Sequence, residues 1–230
     1  MKGKAYGVGV GPGDPELMTL KAVRLIKEND VIMVPGKDPK ESVAYKIAVQ
    51  AVPELECKDV IAVDFPMLKD RDKLRESHKK GAEVMESYLD KGKNVIFLTL
   101  GDSTVYCTFT YVQAYLKEDG YETELVNGIT SFCAAASRLN IPLAEWNEPI
   151  HILPAVHGDD ECFDLEGNYV LMKSGSRMKE LREKLSASGR DIKAVVNCGM
   201  DDEEVYYNAG ELPDETGYFT LLISKRKNSI

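Results

Sequence analysis

Two glycine-rich runs carry the residues best suited to hold a ligand. The first, Tyr6-Gly7-Val8-Gly9-Val10-Gly11-Pro12-Gly13-Asp14-Pro15, leads out of a short apolar strand. The second, Val95-Ile96-Phe97-Leu98-Thr99-Leu100-Gly101-Asp102-Ser103-Thr104-Val105-Tyr106, passes from an apolar strand into Gly-Asp and then a new amphipathic stretch. Glycine allows close backbone approach and positive φ. Asp14 before Pro15 reads as an N-cap with proline at the first helical position. Each run therefore sets a small, pliable backbone at the carboxyl end of a buried strand, and Asp102 adds a carboxylate there. Open α/β sheets take their ligands at such strand ends. The glycines at 7, 9, 11 and 13 alternate, so they are not a G-x-G-x-x-G fingerprint, and no Gly-Lys-Ser/Thr follows to hold a nucleotide phosphate.

A third candidate is Ser131-Phe132-Cys133-Ala134-Ala135-Ala136-Ser137, a run of mostly small side chains opening a helix after the turn Asn127-Gly128-Ile129-Thr130. A helix amino terminus offers unpaired N–H groups, and small side chains leave room for a flat ligand or a neighbouring element. Hydrolytic chemistry has little support. Ser103 lacks a G-x-S-x-G elbow, and only His78, His151 and His157 are available as bases. His78 reads as an exposed residue of a polar helix and His151 as a core or rim histidine on a strand. His157, Asp159, Asp160, Glu161 and Cys162 lack a fixed ligand spacing and read as a solvated acidic loop, so no metal is expected.

The elements that position these residues follow from the periodicity. Helices are predicted over 15–28, 42–52, 70–90 and 105–119, alternating with strands at 31–34, 59–64 and 94–100. That β-α order predicts a mostly parallel sheet with helices on both faces. Beyond Gly120 come a strand at 122–126, a helix at 131–140, strands near 149–155 and 168–173, and a helix at 176–188. Strands at 193–199, 204–209 and 218–225 then crowd together, which favours a mixed-sheet α+β domain. The expected division is an amino-terminal α/β domain over 1–117 and a carboxy-terminal one over 118–230.

The 230 residues, 43% hydrophobic, suffice for packed cores without disulfide or metal staples. Five cysteines, odd in number and without a C-x-x-C, suit reduced thiols in the cytoplasm. The apolar runs are of strand length, so no membrane association is expected. A net charge of −9, from 38 acidic against 29 basic residues, disfavours nucleic acid as a partner. Two short basic stretches, 69–75 and 224–227, read as solvated surface.

Taken in order, Gly7-Val8-Gly9-Val10-Gly11-Pro12-Gly13-Asp14, Leu100-Gly101-Asp102, Gly128-Ile129-Thr130-Ser131 and Val170-Leu171-Met172-Lys173 resemble the tetrapyrrole methylases. Within that family, Thr99 to Tyr106 and Gly128 to Ala135 are most similar to the group acting on carbon 20 of precorrin-2 and its cobalt form. The resemblance implies two α/β domains with S-adenosyl-L-methionine in the interdomain cleft, S-adenosyl-L-homocysteine as product, a tetrapyrrole substrate of cobalamin biosynthesis, and a homodimer. It also implies donor-binding roles. Pro12 would lie in the first loop, with Gly101, Asp102 and Val105 around the amino-acid portion and Tyr106 and Thr108 just beyond. Thr130 and Ser131 would line the donor from the second domain, and Met172 and Gly199 would lie near the adenosine. Asp102 would be a binder first and a weak candidate for proton removal.

Two departures stand out. Where sirohaem-type relatives carry a Tyr-Asp pair after the second strand, this chain has Val34-Pro35-Gly36-Lys37, which speaks against a uroporphyrinogen substrate. Ser103 replaces the usual proline after Gly-Asp, which loosens one restraint on the loop. The substrate's carboxylates call for local cations, and Lys37, Lys40, Arg71, Lys173 and Arg177 adjoin strand ends. The alternatives are another methylase of the same fold, acting on a different corrin carbon, diphthine or ribosomal RNA, and a non-catalytic donor-binding module.

Overall fold

The computed structural model describes residues 1–66, 70–155, 163 and 165–226. The chain divides into two compact units, Met1–Thr130 and Ser131–Ile230. The division lies beyond the expected 117/118 boundary because β5 (Glu122–Val126) is built into the first sheet, paired in parallel with β1 (Lys4–Gly9).

The first unit holds a five-stranded sheet in the order β3-β2-β4-β1-β5, formed with β2 (Val31–Pro35), β3 (Asp59–Val63) and β4 (Val95–Thr99). Every strand pair in it is parallel. Its strands read as continuous apolar runs because both faces are covered. Ile32, Val34, Ile96 and Leu98 pack against Leu25 and Ile26 of α1 (Leu20–Glu28) and Ile47 and Ala48 of α2 (Val43–Ala51). The alternate residues Val31, Met33, Val95 and Phe97 pack against Met85 and Leu89 of α3 (Arg71–Leu89) and Phe109, Val112 and Leu116 of α4 (Phe109–Glu118). The period of two thus sorts one run of residues into two cores.

Two helices start later than the periodicity predicts. The stretch from Pro15 forms only a 3-10 turn to Leu17, capped as expected by the Asp14 carboxylate accepting from the Glu16 N–H at 2.8 Å. Met18 is extended, and Thr19 caps α1 afresh by accepting from the Ala22 N–H at 3.2 Å. The helix expected from Val105 begins at Phe109, because residues 102–108 turn around Asp102 and Tyr106 adopts φ 48°.

The second unit holds a mixed sheet in the order β6-β7-β10-β8-β9. Its strands are β6 (Ile150–Pro154), β7 (Asn168–Met172), β8 (Arg190–Val196), β9 (Glu204–Tyr206) and β10 (Thr220–Arg226). β6 and β7 run parallel, and the remaining pairs are antiparallel. Met178, Leu181 and Leu185 of α6 (Met178–Ala187) pack on Leu171, Ile192, Ala194 and Leu222, while α5 (Ser131–Arg138) lies against β8 and β10. β8 starts before the predicted strand because the buried Arg190 side chain closes its first ladder position, donating from Nε to Ser224 Oγ at 2.8 Å. It ends at Val196 because Asn197 turns to φ 50°. Among the described residues, no helix is long and apolar enough to cross a membrane.

Candidate active site

Three stretches of main chain meet beyond the carboxyl ends of β1, β4 and β5. A Cβ placed on Gly9 would lie 2.6 Å from the Gly101 oxygen and 2.7 Å from the Gly128 nitrogen, and one on Gly128 would lie 2.2 Å from the Gly101 oxygen. Any side chain here would force the backbones apart. The Gly101 N–H donates to the Gly11 oxygen at 2.7 Å, and the Gly11 N–H donates back at 3.2 Å. Gly11 and Gly101 reach this pairing at φ 80° and 73°. The glycines serve a tight junction, and Pro12, next to Gly11, is buried beside it.

Asp102, 5% exposed, fastens that junction. One carboxylate oxygen accepts from the Thr104 N–H at 2.7 Å and from the Thr104 hydroxyl. The other accepts from the Gly128 N–H at 2.9 Å and from Asn127 Nδ2 at 3.2 Å. Burial alone would raise its pKa, but the Thr104, Gly128 and Asn127 hydrogen bonds outweigh burial and hold it below the ordinary carboxylate value. Both oxygens are engaged by the protein itself, which is the state of a clamp and not of a general base. Next to it, the buried Ser103 hydroxyl donates to the Val126 oxygen at 2.9 Å, a second tie between the loops after β4 and β5. Ser103 thus restrains the loop that lacks the usual proline.

The remaining donor-binding candidates of the first unit surround this junction in sequence. Val105 and Thr108 are half-buried, and Tyr106 is exposed and held at φ 48°, a backbone region that costs about 1–3 kcal/mol for such a residue. Among the described residues, Thr130 Oγ1 is a buried side-chain oxygen without a hydrogen-bond partner. A buried hydroxyl left unpaired is costly, and a ligand atom would satisfy it.

In the second unit, Ser131 opens α5 and is half-buried. Met172 ends β7, and exposed Gly199, at φ 77°, sits in the turn after β8. Both strands flank β10, with Met172 opposite Leu221 and Val196 opposite Thr220, so Met172 and the Gly199 turn share one end of that sheet. Sequence reasoning missed what shapes this turn. The Glu203 carboxylate accepts from the Gly199 N–H at 2.8 Å and from Arg138 Nε at the end of α5. Its burial favours the neutral form, yet the Arg138 and Gly199 bonds prevail and keep its pKa low. No local pattern signals a partner 65 positions away.

The other side chains singled out fall elsewhere. His78 is not simply exposed: its ring stacks on Tyr111 at 4.9 Å and 6°, close to Phe65, and burial lowers its pKa. His151 lies 2.7 Å from the Glu166 oxygen and against the Tyr169 ring, a rim histidine as expected. Residues 157 and 159–162 lie outside the described residues. Of the cations, Lys37 is 3.8 Å from Asp64, Arg177 pairs with Glu180, and Lys173 lies over the Tyr218 ring. Lys40 and Arg71 are exposed.

The chain matches the family described as Tetrapyrrole (Corrin/Porphyrin) Methylases over residues 4–213. It is 40% identical to a probable cobalt-precorrin-2 C(20)-methyltransferase of Methanocaldococcus jannaschii over 234 residues, covering 97% of this chain and 96% of that one. It is 27% identical to the cobalt-precorrin-2 C(20)-methyltransferase of Salmonella typhimurium, with 98% of each chain covered. The fold is similar to the X-ray structure of a cobalt precorrin-4 methyltransferase, with TM-score 0.76, 19% identity and coverage of 97% and 94%. It is also similar to the uroporphyrin-III C-methyltransferase of Thermus thermophilus complexed with S-adenyl homocysteine, with TM-score 0.70, 22% identity and 97% of each chain covered. The chain belongs to the tetrapyrrole (corrin/porphyrin) methylases.

Proposed function

We propose that this protein transfers a methyl group from S-adenosyl-L-methionine to carbon 20 of precorrin-2 or cobalt-precorrin-2 in cobalamin biosynthesis. The observation that carries this reading is the 40% identity, across nearly the whole of both chains, to a relative named for that reaction. The residues fit the donor. The glycine junction draws three stretches of backbone together at the strand ends, and the Thr130 hydroxyl is buried without a partner. Pro12 is assigned to the first loop near the donor, Gly101, Asp102 and Val105 to the surroundings of its amino-acid portion, and Tyr106 and Thr108 to positions just beyond that loop. Thr130 and Ser131 line the donor, and Met172 and Gly199 take the adenosine.

S-adenosyl-L-methionine, when bound, supplies a sulfonium methyl that is already a strong electrophile. The protein's task is then orientation and exclusion of water, because an aligned pair reacts far faster than a free one. Asp102 and Ser103 contribute by fixing two loops to each other. With its pKa held low and both oxygens accepting hydrogen bonds, Asp102 is ionised at neutral pH and a poor base. The receiving carbon, enamine-like in a partly reduced tetrapyrrole, attacks without a base; the positive charge it gains spreads over the macrocycle and is discharged when the proton on that carbon leaves to solvent.

The same reading makes the protein a cytoplasmic homodimer. Support for the compartment comes from Cys57, Cys107, Cys133 and Cys198, all free thiols. The test is turnover of precorrin-2 and its cobalt form with labelled donor, the methyl position being read by carbon-13 NMR and the oligomer by sedimentation. Label at carbon 20 is expected. Label at another carbon, or donor binding without any methylated product, overturns the assignment.

A further inference from the structure

A chain of rings climbs from the core of the first unit to its surface. Phe109 meets Phe97 with centroids 5.6 Å apart, Phe97 meets Phe65 at 5.9 Å, and Phe65 meets His78 at 6.0 Å. His78 then lies flat against Tyr111, with centroids 4.9 Å apart and planes at 6°. The helix gives way to seat this chain. A Cβ on Gly81, inside α3, would lie 2.7 Å from the Phe65 ring, and a glycine within a helix costs about 0.5–1 kcal/mol. The last ring is nonetheless open to water, Tyr111 being 60% exposed. With one face covered by His78, that exposure belongs to the opposite face and the ring edge.

The chain emerges at the carboxyl ends of the strands. Phe65 lies just past β3, and Tyr111 stands in the first turn of α4, its N–H donating to the Thr108 oxygen at 3.1 Å. The turn around Asp102 leads directly into that helix. Cations accompany the rings. In the first turns of α3, Lys73 pairs with Asp70, Arg75 with Asp72 and Lys80 with Glu76. Arg71 and Lys79 are exposed and have no ion-pair partner among the described residues. Lys79 adjoins His78, and Arg71 lies on the same face of α3 as His78, about two turns nearer the helix start.

We propose that the open face of Tyr111, backed by His78, is a platform for one pyrrole ring of the tetrapyrrole substrate, with Arg71 and Lys79 as partners for the carboxylates around it. The assignment rests on the substrate reading above and adds Tyr111, His78 and Lys79 to it. A flat ring fringed with carboxylates matches an aromatic face beside two unpaired cations. His78 acts through Tyr111 as a positioning residue. Burial lowers its pKa, so at neutral pH it supports the stack as an uncharged ring. Contact between flat rings changes affinity by up to about tenfold, and an exposed ion pair by about threefold.

The test is anaerobic binding of precorrin-2 to the full chain saturated with S-adenosyl-L-homocysteine, together with steady-state turnover. Tyr111→Ala is expected to weaken precorrin-2 binding and raise its KM about tenfold, with kcat and S-adenosyl-L-homocysteine affinity unchanged. Tyr111→Phe keeps wild-type values, because the ring face and not the hydroxyl makes the contact. His78→Ala raises KM and His78→Phe restores it. Arg71→Gln and Lys79→Gln raise KM about threefold each at low salt and less at high salt. Thermal melts check that each variant is folded, and NMR cross-relaxation between precorrin-2 and the Tyr111 ring in the wild type serves if the alanine variant is not. Absence of that cross-relaxation, or unchanged precorrin-2 affinity in folded Tyr111→Ala, overturns the proposal. So does a changed oligomeric state in that variant with precorrin-2 affinity intact. A wild type that binds S-adenosyl-L-homocysteine but neither binds nor methylates precorrin-2 or its cobalt form would instead refute the substrate reading.

Discussion

Asp102 shows how one buried carboxylate can fasten two loops to each other. Asp102→Asn puts an amide N–H₂ where a carboxylate oxygen now accepts from Gly128 and Asn127, donor against donor. Losing hydrogen bonds to a buried charge costs about 2–3 kcal/mol, so urea unfolding at neutral pH should show that loss. The pH dependence has a definite sign. The folded pKa lies below the ordinary value of 3.8, so the stabilisation is complete above that value and declines as pH falls from it through the folded pKa. The gap between wild type and Asp102→Asn should therefore be flat from neutral pH to about pH 5 and shrink below about pH 4. A gap that persists undiminished to pH 2 would show that the charge is not what matters. The residue itself was legible from its place after an apolar strand. Its partners were not, because Gly128 is 26 positions away and the contact exists only once β5 lies beside β1.

At the level of elements, the first sheet was legible because strands buried on both faces must be apolar throughout, as Val31 to Val34 and Val95 to Leu98 are. Helix starts were less so. The Val105 stretch has helical periodicity, but the turn around Asp102 competes with it and wins through Thr108. β5 looked like the opening of a second domain because a glycine-marked helix end precedes it, and only the pairing with β1 assigns it. The junction of these elements gives a sharp prediction. Gly128→Ala, whose Cβ would lie 2.2 Å from the Gly101 oxygen, should destabilise by at least the 1–3 kcal/mol typical of overpacking. It should also weaken S-adenosyl-L-homocysteine binding. Gly120→Ala is the control: its φ of 77° strains an alanine, but nothing lies within 4 Å of its Cβ, so it should lose stability without losing affinity. Equal ligand affinity in both variants would mean the junction does not shape the donor site.

Over the whole molecule, the donor assignments fall on residues of both units, so binding should be felt as global stability. S-adenosyl-L-homocysteine at about 100 times its Kd should raise the unfolding free energy by about 2.7 kcal/mol, seen as a higher melting temperature in calorimetry. No upward shift at saturating ligand would count against those assignments. The alternation of elements up to residue 119 and the strand crowding after 190 were enough to read two α/β units with one parallel and one mixed sheet. Which residues share an end of the second sheet was not readable. That depends on β10 lying between β7 and β8, an order no local pattern encodes.

Where Gly9 and Gly128 meet the Gly101 oxygen, neither has space for even a methyl group. A catalyst founded on that contact cannot be retuned from beneath, since every inward enlargement dislodges the frame itself. New specificity has to be written on the overhanging rim, in residues such as Tyr106 whose side chains face solvent. An engineer seeking a different acceptor would randomise that rim and leave the floor alone.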